Sequence, residues 1–306
     1  MLSQDPYKTR TGGNAAILTR LDPIVYERAA KPAKRAGLSL AQREAYRDNG
    51  FIMLPELFSA TEVNHLFAEM QAMRQAFAAS SKDEVIAEPG SGEVRSIFNV
   101  HRLNQLFARL VRDPRVLEVA RDILGDEVYI HQSRINYKPG FQGKDFYWHS
   151  DFETWHSEDG MPAMRAVSCS ILLTDNNELN GPLLVMPGSH RHFISCVGET
   201  PEDHFRESLR KQEIGVPEEE FLRYLADMGG IVSCTGKAGS VVFFDCNTMH
   251  GSNSNISPYP RSNVFFVYNS ISNRLEAPKG GLKPRPEYIA AREGIAPLEA
   301  EPLGIA

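Results

Sequence analysis

Residues 128–138 read VYIHQSRINYK, and the chain changes here from helical to β-rich patterns. Aromatic and branched side chains alternate with polar ones, as they do in strands. Beyond this stretch, Gly, Pro and Asn turns separate further short apolar runs. The predicted strands lie near 128–138, 164–174, 182–186, 240–246 and 262–270. We therefore expect a mainly β domain with flanking helices, built on a β-sandwich or barrel.

Upstream of this strand, the sequence carries signals for helix starts. Ser39 with Gln42 and Ser59 with Glu62 have the spacing of capping boxes, in which side chains satisfy free N–H groups of a first turn. Asp113-Pro114 resembles a capping residue followed by proline at the first helical position. These patterns predict three helices ahead of the β-rich half.

The chain shows one compositional boundary, near residue 38. Residues 1–37 are rich in Pro, Arg, Lys and Gly without an apolar period, so we expect an irregular N-terminal arm over the domain. Residues 38–306 contain no Pro/Ser linker and no internal repeat, which predicts a single domain. Within them, the Gly- and Pro-containing segment 84–95 is expected to form a mobile loop, a candidate lid.

Composition excludes several classes of function. The net charge of −6 and the pI of about 5.9 give no reason to expect a nucleic acid or an anionic membrane as partner. No apolar stretch approaches the roughly 20 residues that span a bilayer, and the N-terminus lacks a secretory core, so a cytoplasmic location is expected. The four cysteines are far apart in sequence and are expected to be reduced and buried.

A candidate metal site follows the first long strand. His149 and Asp151 are two residues apart, which on an extended strand turns both side chains toward one face. His250 follows another apolar strand and offers a third ligand. Two imidazoles and one carboxylate on one face of an octahedron leave three positions open, as in non-haem iron(II) oxygenases. The aromatic runs 146–148 and 152–155 flank the pair and limit the access of water.

Two further features suit a charged small molecule. Arg261 starts the strand after His250, where a guanidinium can pair bidentately with a carboxylate, although a surface salt bridge is the alternative. In the strand 128–138, the even positions continue from Val128 and Ile130 as Gln132, Arg134, Asn136 and Lys138. An exterior strand face would also be polar. The odd positions of this strand do not make a convincing apolar core. We therefore expect the polar even positions to line the interior of the barrel.

At this point a family resemblance appears in the residues. The segment FYWHSDFETWHSEDGMP, at 146–162, looks like the signature of the ectoine hydroxylases, within the phytanoyl-CoA hydroxylase-like group of iron(II)/2-oxoglutarate dioxygenases. The likeness runs nearly end to end, through QDPY at 4–7, HQSRINYKPGF at 131–141, NGP at 180–182, PGSH at 187–190, FDCN at 244–247 and HGSNSN at 250–255.

The resemblance implies a double-stranded β-helix (jelly-roll, cupin-like) fold, usually dimeric. It also implies hydroxylation of the compatible solute ectoine at ring carbon 5, in osmotic or thermal stress metabolism, with O2 consumed and succinate and CO2 released. The implied iron ligands are His149, Asp151 and His250. The implied 2-oxoglutarate contacts are Lys138 and Arg261, with Asn136 and Ser252 as helpers. The implied ectoine contacts are Gln132, Thr154, Trp155, Phe244, Asn263 and Phe265.

Other interpretations remain open at the level of sequence. A second enzyme interpretation keeps iron and 2-oxoglutarate but takes another small amino-acid derivative or an acyl thioester. A third is a β-barrel that binds a small solute without catalysis, its His and Asp being ordinary polar residues. For Glu153 and Glu158, beside the candidate ligands, we favour solvated surface charges over groups that support the metal site.

Overall fold

Antiparallel β-sheets of seven, four and two strands, together with a layer of helices, make up the part of the chain that the structure describes. This computed structural model covers residues 5–10, 13–27, 37–78, 80–88, 92–209, 213–279 and 281–305. The helices are α1 (Leu40–Asn49), α2 (Ala60–Ala76), α3 (Val100–Leu103), α4 (Gln105–Leu110), α5 (Pro114–Leu124), α6 (Asp151–Asp159), α7 (Phe205–Ser208) and α8 (Glu219–Gly229). The strands are β1 (Ala16–Thr19), β2 (Phe51–Leu54), β3 (Val85–Ala87), β4 (Val94–Phe98), β5 (Val128–Lys138), β6 (Phe146–His149), β7 (Ala166–Leu172), β8 (Leu183–Val185), β9 (His192–Ser195), β10 (Val232–Ser233), β11 (Val241–Asp245), β12 (His250–Ser252) and β13 (Arg261–Ser270).

The first helices begin where the sequence supplies caps. Ser39 and Ser59 each form a complete capping box, so the predicted starts of α1 and α2 are confirmed. The third prediction is confirmed as well, because α5 begins at Pro114 behind the capping residue Asp113. It ends at Gly125, whose φ of 61° lies in the left-handed region that glycine enters without strain.

The larger of the two main sheets has seven strands in the order β2-β11-β7-β13-β5-β4-β3, and the smaller has four in the order β10-β8-β12-β6, while β1 and β9 form a separate two-stranded sheet. The facing sides of the two main sheets share an apolar cluster that includes Leu183 and Val185 from the small sheet and Val242, Phe244 and Phe265 from the large one. Two antiparallel sheets packed in this way form the double-stranded β-helix, so the predicted fold class is confirmed.

Helices cover the other face of the seven-stranded sheet. Strand β11 illustrates the alternation: Val241 and Phe243 join the large cluster beneath α2 and α5, whereas Val242 and Phe244 point between the sheets. Burying a side chain of this size contributes about 1.5–3 kcal/mol. The helical layer therefore fixes the large sheet, and the space between the sheets is left for the site.

Strand β5 contains an irregularity that the sequence alternation does not reveal. Its pairing with β13 shifts register between Val267, which faces Gln132, and Tyr268, which faces Ile130, so His131 is an extra residue. Val128 and Ile130 belong to the helix-covered core. The prediction that these even positions share one face with Gln132 and its successors is therefore wrong, because the bulge exchanges the faces.

Several shorter predictions also need correction. The arm is not irregular throughout, since β1 pairs with β9 from Ala16 to Thr19. Segment 84–95 is mostly a hairpin of β3 and β4, which joins the large sheet through β5, and residues 89–91 of the candidate lid lie outside the described residues. The division into an arm of residues 1–37 and one domain stays a prediction. Among the described residues, the structure has no helix with the length and apolar character that crossing a membrane requires.

Candidate active site

Three side chains that could ligate a metal converge beside the four-stranded sheet. His149 ends β6, and His250 begins β12 directly opposite it in the register of the two strands. Asp151 is the first residue of α6. Its carboxylate oxygens lie 3.7 Å from His149 Nε2 and 3.8 Å from His250 Nε2, and one ligand atom from each of the three residues lies within 4.8 Å of the others. The predicted convergence of His149, Asp151 and His250 is therefore present in the structure.

The local backbone differs from the continuous strand that the spacing predicted. Strand β6 stops at His149, and Asp151 already has helical conformation. The residue between them, Ser150, is extended, with φ −105° and ψ 128°. Because this one extended residue separates the ligands, their side chains still meet. The prediction was right about the convergence and wrong about the secondary structure that produces it.

Both imidazoles are oriented for coordination through Nε2. His149 Nδ1 donates to the carbonyl oxygen of Tyr147 (2.8 Å), and His250 Nδ1 donates to that of Thr248 (2.9 Å). Since a carbonyl can only accept, the proton is placed on Nδ1 and the Nε2 lone pair is left for a metal. Burial, and then the neighbouring His250, lower the pKa of His149 to about 3, which keeps the ring neutral.

A hydroxyl and two aromatic rings complete the surroundings of the triad. Ser168 Oγ, on β7, donates to Asp151 Oδ2 at 3.3 Å and restrains the carboxylate. Phe146 packs 5.0 Å from the ring of His149, and Phe244 packs 4.9 Å from that of His250. Two nitrogens and one carboxylate oxygen, held on one side with aromatic neighbours, match the facial arrangement that suits iron(II).

A cavity opens from the histidines along β5 and β13. Its cationic end is formed by Lys138 and Arg261, which are direct cross-strand partners. Lys138 Nζ donates to Ser252 Oγ (2.9 Å) and to the carbonyl oxygen of Asn253 (2.6 Å). Asn136 also lines the cavity, and its amide oxygen accepts a hydrogen bond from Ser96. The four residues predicted for 2-oxoglutarate thus line the same cavity, Ser252 from the four-stranded sheet and the other three from the seven-stranded sheet.

Burial acts strongly on the two basic side chains at this end. Within the described part of the chain, no carboxylate lies within ion-pair distance of Arg261, and burial lowers its pKa to about 10. Burial, and then the nearby Arg261, lower the pKa of Lys138 to about 6. A buried guanidinium without an acidic partner is costly unless an anion joins it. This end of the cavity is therefore suited to a carboxylate ligand.

The predicted substrate contacts divide into two groups. Phe244 and Phe265 line the cavity. The other four, Gln132, Thr154, Trp155 and Asn263, are not among the described residues that line it. Gln132 donates to the carbonyl oxygen of Ile289, Thr154 accepts from Arg10, Trp155 packs on His131, and Asn263 donates to Ser170. The side-chain oxygen of Asn263 is buried and accepts no hydrogen bond within the described part of the chain. The roles of all six stay predictions.

Three further cavity residues had no ligand contact predicted from the sequence. Arg134 is held between Phe98 and Phe265, with its guanidinium carbon 5.8 and 5.1 Å from the ring centroids. Glu88 and Arg95 reach the cavity from the β3–β4 hairpin. Arg134 was predicted to lie with Gln132 and Asn136 on the polar interior face of its strand, and it does line the cavity, although no ligand contact was predicted for it. Glu88 and Arg95 gave no such signal, because they sit in a segment predicted as a loop.

Sequence comparisons place this site in a known context. The model of the phytanoyl-CoA dioxygenase (PhyH) family matches residues 46–263, which include all three potential ligands. The chain is 60% identical over 301 residues to an ectoine dioxygenase of Bordetella bronchiseptica, with 97% of each chain covered. It is 52% identical over 301 residues to an ectoine dioxygenase of Stutzerimonas stutzeri, with 98% of this chain and 99% of the relative covered.

Solved structures give the same result. EctD from S. alaskensis with 2-oxoglutarate and 5-hydroxyectoine is similar with a TM-score of 0.87 and 49% identity, covering 98% of this chain and all of that one (100%). EctD from S. alaskensis with bound Fe gives a TM-score of 0.85 and 47% identity over the same shares, 98% and 100%. The similarity therefore extends over the two sheets, the helical layer and the site.

Proposed function

The chain belongs to the phytanoyl-CoA dioxygenase family, and from that premise we propose that it hydroxylates ectoine to 5-hydroxyectoine. In this reaction iron(II) is the metal, 2-oxoglutarate is the cosubstrate, O2 is consumed, and succinate and CO2 are released. One oxygen atom enters the substrate and the other enters succinate, so atoms and electrons balance. The ectoine dioxygenases to which the chain is similar support this choice of substrate.

One observation carries the proposal: a triad of two histidines and an aspartate faces the same cavity as Arg261, a buried guanidinium that has no carboxylate partner among the described residues and that lies beside the amino group of Lys138. The triad supplies the donor set of an iron(II) oxygenase. Lys138 and Arg261, which line that cavity as a cross-strand pair, suit a carboxylate. An iron-chelating keto acid has a reactive end and a distal carboxylate, so it satisfies both features together.

The protein contributes position and shielding, and the bound iron and keto acid supply the oxidising chemistry. His149, Asp151 and His250 would hold the metal. Lys138 and Arg261 would pair with the distal carboxylate of 2-oxoglutarate, while Asn136 and Ser252 assist as hydrogen-bonding groups. The rings of Phe146 and Phe244, which pack on the two histidines, would keep bulk water from the reacting centre.

Ectoine is a small zwitterion, with a delocalised cyclic cation and a carboxylate. The rings of Phe244, Phe265 and Trp155 are proposed walls for the cation. Gln132, Thr154 and Asn263 are proposed hydrogen-bonding partners. The buried side-chain oxygen of Asn263, which accepts no hydrogen bond from the described residues, supports this assignment most directly, because a substrate N–H would satisfy it.

The cellular setting is part of the same proposal. The resemblance to ectoine hydroxylases supports a homodimer that acts in the response to osmotic or thermal stress. The four cysteines, Cys169, Cys196, Cys234 and Cys246, are free and buried, which fits a reducing compartment and supports the cytoplasm as its location. Light scattering during size-exclusion chromatography tests the dimer, and a mass equal to one chain would contradict it.

The function is tested by succinate production. Anaerobically iron-loaded protein receives 2-oxoglutarate and then O2, with or without ectoine, and mass spectrometry follows the addition of one oxygen atom. We expect ectoine-dependent succinate and a hydroxylated product. Asp151→Ala should abolish both, whereas the matched control Asp175→Ala, at an exposed carboxylate paired with Lys237, should leave them unchanged.

Two results would contradict the proposal in different ways. One result is succinate formation at a rate that ectoine does not increase, without a hydroxylated product. This result would agree with the iron chemistry but would refute ectoine as the substrate. Full activity of Asp151→Ala would refute the ligand assignment itself. Competition among small amino-acid derivatives and acyl thioesters then identifies the substrate in the first case.

A further inference from the structure

Two acidic side chains on α6 share a partner from the N-terminal arm. Glu153 and Glu158 were expected to be solvated, but their side chains are only 1% and 5% exposed. Both bind Arg10, whose own side chain is 4% exposed. Arg10 Nε and Nη2 donate to the two carboxylate oxygens of Glu153, at 3.0 and 2.7 Å, and Nη1 pairs with Glu158. The expectation was wrong because a distant segment covers both carboxylates.

The arm itself is firmly held at this point. The backbone N–H of Arg10 donates to the carbonyl oxygen of Cys196 (2.8 Å), and Thr9 Oγ1 donates to Glu153 (2.7 Å). Arg10 Nη1 also donates to Thr200 Oγ1 at 2.8 Å. Burial alone would lower the pKa of Arg10, but the ion pairs with Glu153 and Glu158 outweigh it and raise that pKa. The guanidinium therefore stays charged and is fixed on several sides.

Helix α6 is the element that these contacts immobilise. Its first residue is the potential metal ligand Asp151, and it carries the predicted substrate contacts Thr154 and Trp155. Arg10 reaches Thr154 directly, since Nη2 donates to its hydroxyl at 3.1 Å. Glu153 is two residues from Asp151, so its ion pair with Arg10 acts within the first turn of the helix. A rotation of this turn would move the carboxylate away from the two histidines.

The far end of the helix has a separate anchor. Arg285 donates to both carboxylate oxygens of Asp159, at 2.7 and 2.6 Å, and its Nε lies 3.9 Å from Glu158. Loss of Arg10 would therefore leave the last turn held by Arg285. The first turn, which bears the ligand, would keep the hydrogen bonds from Thr9 Oγ1 to Glu153 and from the Phe152 N–H to the carbonyl oxygen of Cys246, but it would lose its ion pair. Misplacement of a reacting group by about 1 Å can cost as much as 100-fold in rate.

From this geometry we propose that Arg10 is a positioning residue for the metal site. It fixes the first turn of α6, so that Asp151 faces His149 and His250 and Thr154 keeps its orientation. The assignment rests on the proposed iron-dependent function and gives the N-terminal arm a part in it. Arg10 does not contact the reacting atoms and acts only through α6.

The test compares two matched substitutions in the same arm. Arg10→Lys keeps the charge that the buried carboxylates require but loses the planar fork that fixes their geometry. Arg20→Lys is the control, because Arg20 is also buried and pairs with an acid, Asp245 Oδ1 at 2.8 Å, without touching α6. Iron(II) affinity is measured anaerobically by competition with a chelator. The visible charge-transfer absorption of the iron(II)–2-oxoglutarate complex, kcat, and the KM for ectoine are measured on the same samples.

We expect Arg10→Lys to weaken iron(II) binding and lower kcat by about 10- to 100-fold, the range found when a group that orients a metal ligand is lost. The absorption band should shift, because the carboxylate ligand is displaced. Arg20→Lys should lower the melting temperature and leave affinity and absorption unchanged. These binding and absorption measurements need no ectoine, so they remain decisive if the proposed substrate is wrong.

Two outcomes would overturn the proposal. One is unchanged iron affinity, absorption and kcat in folded Arg10→Lys. The other is an equal loss in Arg20→Lys, which would mean that general destabilisation is responsible. If Arg10→Lys does not fold, Glu153→Gln replaces it, because this change keeps the size of the side chain and removes the charge through which Arg10 holds the first turn of α6. Unchanged iron affinity and absorption in that variant also refute the proposal.

Discussion

Binding of 2-oxoglutarate at pH 8 should take up close to one proton, and the proton should go to Lys138. Burial, followed by the neighbouring Arg261 cation, lowers the pKa of this lysine to about 6. At pH 8, only about 1% of such amino groups would be charged in the free protein. The distal carboxylate of the cosubstrate favours the charged form and raises the pKa again. The bound state therefore holds a proton that the free state lacks.

The direction of the pH dependence follows from this difference. The charged lysine is the form that binds, so affinity for 2-oxoglutarate should rise as the pH falls from 8 to 6. It should level off below pH 6, where the free protein is already charged. The steepest change is about tenfold, or about 1.4 kcal/mol, per pH unit. Between pH 8 and pH 6 the charged fraction grows from about 1% to about half, which gives a total of roughly 50-fold.

Isothermal titration calorimetry measures the proton directly. Iron-loaded protein is titrated anaerobically with 2-oxoglutarate at pH 8, in buffers that differ in ionisation enthalpy, and the slope of the observed enthalpy gives the number of protons. Lys138→Arg is the matched control, because a guanidinium is charged at every pH used and takes up no proton. A slope of zero for the unchanged protein, or an equal slope for Lys138→Arg, would refute the reasoning.

Three further changes test other parts of the structure. Ser168→Ala removes the hydroxyl that donates to Asp151 and should weaken iron(II) binding by up to about tenfold in an anaerobic titration; unchanged affinity would mean that this hydroxyl does not restrain the carboxylate. Arg261→Lys should raise the KM for 2-oxoglutarate by about 10- to 100-fold, since a charged hydrogen bond contributes about 1.5–3 kcal/mol. The KM for ectoine should stay constant, and an equal rise in both KM values would contradict a specific contact between Arg261 and 2-oxoglutarate. Ser59→Ala breaks the capping box of α2 and should lower the free energy of unfolding by about 1 kcal/mol in urea without changing kcat, and a loss of activity would contradict its purely structural role.

Local rules predicted much of the fold. The capping boxes at Ser39 and Ser59 and the Asp113-Pro114 start depend only on neighbouring residues, and all three mark real helix starts. The five predicted strands also exist, because their apolar periods and turns are local. Strands β1 and β12 have four and three residues, too few for a clear period, and they exist through pairing with distant partners.

In the site, too, local sequence predicted some features, and contacts between distant residues decided the others. Convergence of His149, Asp151 and His250 was predicted by donor chemistry and family resemblance. The face exchange at the β5 bulge was not, because a bulge depends on the register of the partner strand. The burial of Glu153 and Glu158 was missed for a similar reason: their partner, Arg10, is more than 140 positions away in the sequence.

The opposed positions of His149 and His250 affect the stability of the protein as well as its chemistry. An ion shared by these two side chains would close a loop of roughly 100 residues, and in the unfolded chain a closure of that length costs several kcal/mol of entropy. The metal would then act as a removable cross-link between β6 and β12. Removal of the metal would then withdraw this contribution, so the metal-free protein should unfold at a lower temperature than the iron-loaded one.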